Sequence, residues 1–445
     1  MNFKYFPQTE EDIRQMLDAI GVKHLENLFD DVPQSVRIKN NYDIPSEMSE
    51  IEIRKFFKDL GDKNKQLVCF AGGGVYDHYT PSIINYITQR SEFLTSYTPY
   101  QAEVSQGTLQ YIFEYQTMMA DLTGMEISNA SMYDGTTATA ESMMMAIGAS
   151  KNRNRILVSA TLHPQTIKVL LTYSKFHNIE LVMIPEINGQ TNQRKLAIEL
   201  SKDDVAGVIV GQPNYYGIIE DWTGVAEMCH SHNALFIMNC PASPLATIKT
   251  PGEWGADIAV GDAQTLGLPM NFGGPFIGYL CTREALIRKM PGRIVGATQD
   301  IKGNRTFVLT FQAREQHIRR QKATSNICTS QGLMTLFVGV YLALMGPSGM
   351  KEANTLSYGG AHYLHDELIK TGLFKEKFNA PFYNEFCVTT HLNINNLQDR
   401  LAEQGFLCGI QPQKDNMHNC LMFAVTEKRS KDEIDHFVRL ITQEG

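Results

Sequence analysis

The residues best placed to do chemistry follow a short apolar run, Ile258 to Val260, which reads as a buried strand emptying into a turn region rich in Gly and Pro. In α/β proteins the carboxyl ends of strands carry the ligand chemistry, so a reactive side chain is expected just after Val260. That place holds Asp262, Ala263 and Gln264. The plainer alternative is a strand followed by a solvated loop and an edge strand. A second candidate is Ser131-Met-Tyr-Asp-Gly-Thr-Thr-Ala-Thr-Ala-Glu141, where a glycine and clustered hydroxyls run into a helix. Backbone N–H groups at a helix start, Gly135 allowing close approach, and the Thr136 and Thr137 hydroxyls would make a phosphate cradle. A capped core helix with Met143, Met144 and Met145 as packing is the other reading.

Two further runs could meet a ligand or another chain. Phe70-Ala-Gly-Gly-Gly-Val-Tyr-Asp-His-Tyr-Thr-Pro81 and Tyr97 to Gly107 combine flexible glycines, tyrosines and His78. Three consecutive glycines lack the spacing of a dinucleotide site, and a tyrosine-rich packed loop remains open. From Arg293 to Asn326 arginines recur, offering bidentate contacts to carboxylate or phosphate, so the run reads as an anion site, an acidic partner's docking surface, or a solvated charged helix. His230 and His232 lack further ligands at a recognised spacing, so surface or capping roles are expected and no metal site. No Gly-x-Ser-x-Gly elbow is present.

Strands are expected at Ile156–Ser159, Glu180–Ile184, Val205–Val210, Ala234–Met238, Ile258–Val260 and Phe276–Leu280, with helical segments between them, implying a mostly parallel sheet with crossover connections. Thr9 can cap an N-terminal helix whose stripe Ile13, Met16, Leu17 and Ile20 ends at Gly21; the stripe suits core packing or cover for a partner. Past about 331 a long helical stretch leads to strands near Glu385–Thr390 and Leu421–Thr426, and Ser430-Lys-Asp-Glu433 has the spacing of a capping box. The expected division is a helical arm over 1–65, a large α/β domain over 66–330 and a C-terminal α+β domain over 331–445.

With 445 residues, 43% hydrophobic and 20% charged, the chain can bury a large core. A net charge of −8 argues against a general nucleic-acid binder. No apolar run is expected to reach the ~20 residues of a membrane span, and the first residues lack a signal peptide's apolar core. Eight scattered cysteines without a Cys-x-x-Cys pair suit a reducing cytoplasm.

The sequence near Gly135, His163 in Thr-Leu-His-Pro-Gln-Thr, the strand ending Phe236-Ile-Met-Asn-Cys-Pro and the loop after Val260 together resemble the large domain of the aspartate-aminotransferase-type (type I) pyridoxal-phosphate (PLP) enzymes. Tyr97-Thr-Pro-Tyr-Gln, Ser131-Met-Tyr-Asp-Gly, Gln299-Asp300 and the run Gln312 to Cys328 resemble, more closely, the glycine decarboxylase P-protein of the glycine cleavage system. Within that family the chain is similar to the α-type half found where the P-protein is split in two, over nearly its whole length.

The resemblance implies glycine as substrate, loss of its carboxylate as CO₂ on PLP, and transfer of the aminomethyl group to the lipoyl arm of H-protein. It also implies a lysine that holds the cofactor and a carboxylate that keeps its pyridine nitrogen protonated. Those two places fall on Gln264 and Asn239, an amide pair that can do neither, so the pocket formed with Gly135, Thr136, Thr137 and His163 is expected to be vestigial. PLP is then expected on a β-type partner, in an α2β2 assembly. Tyr97, Tyr100, Arg293, Arg314 and His317 are the residues expected to reach the partner's site or the interface. Lys249 is the nearest other lysine, and it precedes the strand. An independent PLP enzyme, or a self-associating binding protein that kept the fold, are the alternatives.

Overall fold

The computed structural model describes all residues except 1–4, 39, 41, 151, 272–273, 324, 415–416 and 444–445. Phe272 and Gly273 of the loop after Val260, and Thr324 of the arginine-rich run, therefore lie outside the described residues. The chain divides into Met1–Lys65 and Gln66–Gly445. In the first unit, helices Glu10–Ile20 (α1) and Glu50–Gly61 (α2) both start at capping boxes, Thr9 with Asp12 and Ser49 with Glu52, each giving back a bond to an otherwise orphaned amide. Helix α1 stops at Gly21, whose φ of 85° suits the left-handed cap. No residue of α1 or α2 is buried, so the stripe forms no buried core within this unit.

Seven strands form the central sheet of the second unit: Ile127–Ser128 (β1), Arg155–Ser159 (β2), Glu180–Ile184 (β3), Val205–Gly211 (β4), Leu235–Asn239 (β5), Ile258–Asp262 (β6) and Gly278–Thr282 (β7). Their order is β1-β7-β6-β5-β4-β2-β3. Strands β2 to β6 pair in parallel, while β7 is antiparallel to β6 and β1. All six expected strands are present. The last begins two residues later than Phe276, because its register sets Gly278 against Asp262 and Thr282 against Ile258.

Side chains alternate across each strand, and both faces are apolar because both are covered. Ile156, Val158, Ile209, Ile237 and Val260 face Ala138, Met143 and Met145 of helix Gly135–Ala149 (α4). Leu157, Val208, Val210, Phe236 and Met238 gather around the fully buried Trp222 on the other side. Each large side chain so buried contributes roughly 1.5–3 kcal/mol. Helix Gln106–Thr123 (α3) and helix Pro164–His177 (α5) complete the elements that bear on the site.

The arginine-rich run departs from a charged helix. It holds an antiparallel hairpin, Ile294–Gln299 (β8) with Arg305–Thr310 (β9), followed by short turns of helix from Gln312 to Lys322. Ile294, Val295, Thr298, Thr306, Val308 and Thr310 are β-branched, and their preference for a pleated surface outweighs the charge pattern.

Helix Gly332–Lys370 (α6) is 39 residues long, and by length and composition alone it could cross a membrane, contrary to the expectation that nothing in the chain reaches that mark. Its Met334, Val338, Tyr341 and Met350 pack with Ile84, Tyr115 and Met119. It breaks at Gly346, φ 58° and ψ −178°, where Pro347 disfavours a helical residue before it. Beyond it, Phe374–Glu376 (β10), Glu385–Thr390 (β11) and Cys420–Ala424 (β12) form a three-stranded antiparallel sheet. Leu364 and Leu368 of α6 and Phe437 of the capped helix Lys431–Thr442 (α7) cover it. Phe70 stacks on Phe437 with ring centroids 4.2 Å apart, and Val68–Cys69 pairs with Phe406–Leu407, so the glycine loop after Phe70 is anchored to this layer.

Candidate functional site

A cavity of about 410 Å³ opens where the parallel strands end, and it joins distant parts of the chain. Asn239 closes β5, Asp262 closes β6 and Gln264 follows two residues on. Asp134 and Gly135 start α4, and His163 caps α5. The 73–78 loop and Glu385, the first residue of β11, supply the remaining wall. The cavity thus brings together all six pocket residues expected from the sequence, Gly135, Thr136, Thr137, His163, Asn239 and Gln264.

The start of α4 is occupied by the protein itself. Asp134 Oδ1 accepts from the Thr137 amide at 2.7 Å, and Asp262 Oδ2 accepts from the Gly135 amide at 3.2 Å. The other oxygen of Asp262 accepts from the Gln264 amide at 2.7 Å. Thr136 Oγ1 lies 3.0 Å from Thr166 Oγ1. Gly135 is a glycine because a Cβ there would lie 2.6 Å from the Asp262 nitrogen and 2.8 Å from the Gly261 carbonyl carbon. The close approach that a Cβ would block is to strand β6. Burial pushes the Asp262 carboxyl up to about 7, and the neighbouring Asp134 charge pushes the same way against the two amide bonds.

Gln264 is 1% exposed, and both its amide hydrogens and its oxygen are bonded within the protein. Its oxygen accepts from the Tyr76 amide at 3.1 Å, and its nitrogen donates to the Tyr76 and Leu268 carbonyls at 3.0 and 2.8 Å. It staples the glycine loop to the cavity floor. Asn239 donates from Nδ2 to Thr139 Oγ1 at 2.5 Å. His163 Nδ1 accepts from the Gln165 amide at 3.1 Å, which leaves Nε2–H to donate to the Gly73 carbonyl at 2.9 Å. Burial pushes its pKa down, favouring this neutral tautomer.

Glu385 was not legible as a site residue. Its two oxygens accept from the Gly73 amide at 2.6 Å and the Tyr76 hydroxyl at 2.8 Å, and burial pushes its carboxyl up to about 7. His78, also in the wall, lies 2.6 Å from Glu427 Oε2. No spacing in the chain links Glu385 to Tyr76, more than three hundred residues away.

The residues present do not fit pyridoxal phosphate. Among the described residues lining the cavity there is no lysine or arginine to bond or balance the cofactor, while Asp134, Asp262 and Glu385 are all there. Lys249 is elsewhere, its ammonium 3.7 Å above the Trp254 ring. The half-buried Lys414 donates to the Ala160 carbonyl beside the rings of Tyr215 and Tyr216. His230 and His232 pair with Asp257 and Asp203 at 2.8 and 2.5 Å.

The five residues expected at a partner contact lie outside the cavity. Arg293 stacks on Tyr100 at 4.6 Å and pairs with Glu315 at 3.1 Å, His317 lies 3.6 Å from the same carboxylate, and Tyr100 shares a hydrogen bond of 2.8 Å with Ser330. Arg314 donates to the carbonyls of Met290 and Gly292, and burial pushes its pKa down. Four of the five therefore hold the chain's own loops. Tyr97 is apart from them and 91% exposed.

A sequence profile described as glycine cleavage system P-protein matches residues 3–441. The probable glycine dehydrogenase (decarboxylating) subunit 1 of Moorella thermoacetica is 45% identical over 98% of both chains. A crystal structure of glycine decarboxylase (P-protein) of the glycine cleavage system, in inhibitor-bound form, is 40% identical with a TM-score of 0.90 and covers 100% of each chain. A C-DES variant with glycine covalently linked to its PLP cofactor, 15% identical over 87% of this chain and 98% of that one, has a TM-score of 0.61 and is similar in fold alone. The architecture is that of the PLP-dependent type I fold.

Proposed function

This chain belongs to the glycine cleavage system P-protein family, and from that premise we propose that it is the subunit of glycine dehydrogenase (decarboxylating) that does not carry the cofactor. The observation that carries the reading is Gln264. At the strand end where the fold would present a cofactor lysine, a buried amide commits both its N–H donors and its oxygen to Tyr76 and Leu268. An amide does not form the covalent link that a lysine amine forms with an aldehyde cofactor.

The cofactor and its lysine then belong to a β-type partner in a cytoplasmic α2β2 assembly, with glycine as substrate and the lipoyl group of H-protein as acceptor of the aminomethyl group. This chain supplies a folded half of that assembly. Tyr97 is the residue we assign to the partner contact, since its side chain is free to reach outward. Tyr100, Arg293, Arg314 and His317 hold loops of this chain in place. The exposed apolar residues of α1, among them Ile13, Met16 and Ile20, suit the same role.

The test is borohydride reduction of the assembled complex with PLP, followed by intact-mass analysis of each chain. The expected result is one adduct on the partner and none here. An adduct on a single lysine of this chain would overturn the assignment.

A further inference from the structure

A helix of fifteen residues such as α4 presents unpaired amides at its start, and that end ordinarily attracts anions. We infer that Asp262 is a built-in occupant of this anion site, so that the cavity excludes phosphate and phosphate esters independently of the missing lysine. Two of the first-turn amides are already bonded, Gly135 to Asp262 and Thr137 to Asp134. The Asp262 carboxylate is fixed from both ends. Its second oxygen is held by the Gln264 amide, and its backbone is pressed against the Cα of Gly135, where even a methyl group has no room.

A phosphate arriving at the start of α4 would have to displace a carboxylate or settle beside two of them. No cation among the described lining residues offsets that repulsion. Like charges about 5 Å apart in a site of effective dielectric near 20 repel strongly, and because the Asp262 carboxyl, held near 7, can relieve its share by taking up a proton, that share is limited at pH 8 to about a tenfold loss of affinity. The helix dipole is meanwhile already compensated by Asp134 and Asp262, which removes the usual gain from bringing an anion there. The same geometry accounts for the glycine and the first of the two threonines that look like a phosphate cradle: Gly135 accommodates β6, and Thr136 meets Thr166. Restoring a lysine at 264 would therefore not by itself recreate a cofactor site.

The experiment is calorimetric titration of the full-length chain, at pH 8, with inorganic phosphate and separately with PLP. It is done without the partner, so its outcome is independent of whether the proposed assembly exists. The wild-type chain should give no saturable heat with millimolar phosphate. Asp262→Asn keeps an acceptor for the Gln264 amide and removes the charge, and it should bind phosphate up to about tenfold more tightly. Asp134→Ser keeps a capping hydroxyl and removes the other charge, and should gain in the same direction; it carries the comparison if Asp262→Asn does not fold. Micromolar phosphate or PLP binding by the wild-type chain, other than nonspecific lysine adducts visible by mass, overturns the inference. So does a folded Asp262→Asn, or in its place Asp134→Ser, that binds phosphate no better than wild type.

Discussion

Replacing Asp262 with asparagine should flatten the fall in stability that the chain undergoes as pH rises from 5 to 7. Burial, with Asp134 adding repulsion, raises the Asp262 carboxyl to about 7 from its ordinary 3.8. A carboxyl raised in the folded state binds its proton more tightly there than in the unfolded chain. Its contribution to stability is complete below the unfolded value and is lost as pH climbs through the folded one. Between pH 5 and 7 the unfolded group is ionised while the folded group is still giving up its proton. Two pH units at ~1.36 kcal/mol each give a loss of up to ~2.7 kcal/mol from this residue. Glu385 and Glu141, also raised to about 7 by burial, make the wild-type slope steeper, so the quantity to read is the difference between wild type and variant. The asparagine keeps its bond to the Gln264 amide but turns an N–H₂ toward Gly135, at a pH-independent cost of about 1 kcal/mol. Urea unfolding followed by the fluorescence of Trp222 and Trp254 at pH 5, 6, 7 and 8 measures both. Parallel curves for wild type and Asp262→Asn would refute the argument that this carboxyl is desolvated and proton-binding in the folded chain.

Two further perturbations probe the stapled loops. Gln264→Leu leaves the Tyr76 N–H and the Leu268 carbonyl without partners in a buried place, while the Tyr76 carbonyl keeps its bond from the His78 amide, and should cost about 2–3 kcal/mol in urea unfolding, with faster hydrogen exchange at Tyr76. Unchanged exchange there would mean that the amide does not hold the glycine loop. Arg314→Ala removes the donor to the Met290 and Gly292 carbonyls and should cost about 2 kcal/mol while opening the 312–328 segment to limited proteolysis; a cleavage pattern identical to wild type would return Arg314 to the group of residues free to reach a partner.

The strands were legible because each is a short, mostly apolar run bounded by turn formers, and burial on both faces makes the inner ones conspicuous. Val205–Gly211 is buried at every position. Boundaries were less certain where pairing decides them, as at Gly278, whose start follows from its register with Asp262. The hairpin at Ile294–Thr310 was hidden under arginines, which attract attention as charges although the intervening β-branched residues set the conformation. Helix α6 was underestimated as an apolar segment because Gly and Pro interrupt it.

By itself the sequence determined what is local or chemical: the helix cap at Thr9 and the capping box at Ser430, the succession of strands and helices, the family, and the absence of an amine at position 264. Only the tertiary structure decided what occupies the start of α4 and what closes the cavity. Asp262 meets Gly135 across 127 residues and Glu385 meets Tyr76 across 309. Such contacts depend on strand order, register and the path of the crossovers. A local pattern constrains neighbours three or four residues apart, whereas a buried carboxylate takes its role from whichever distant amides the folded chain sets beside it.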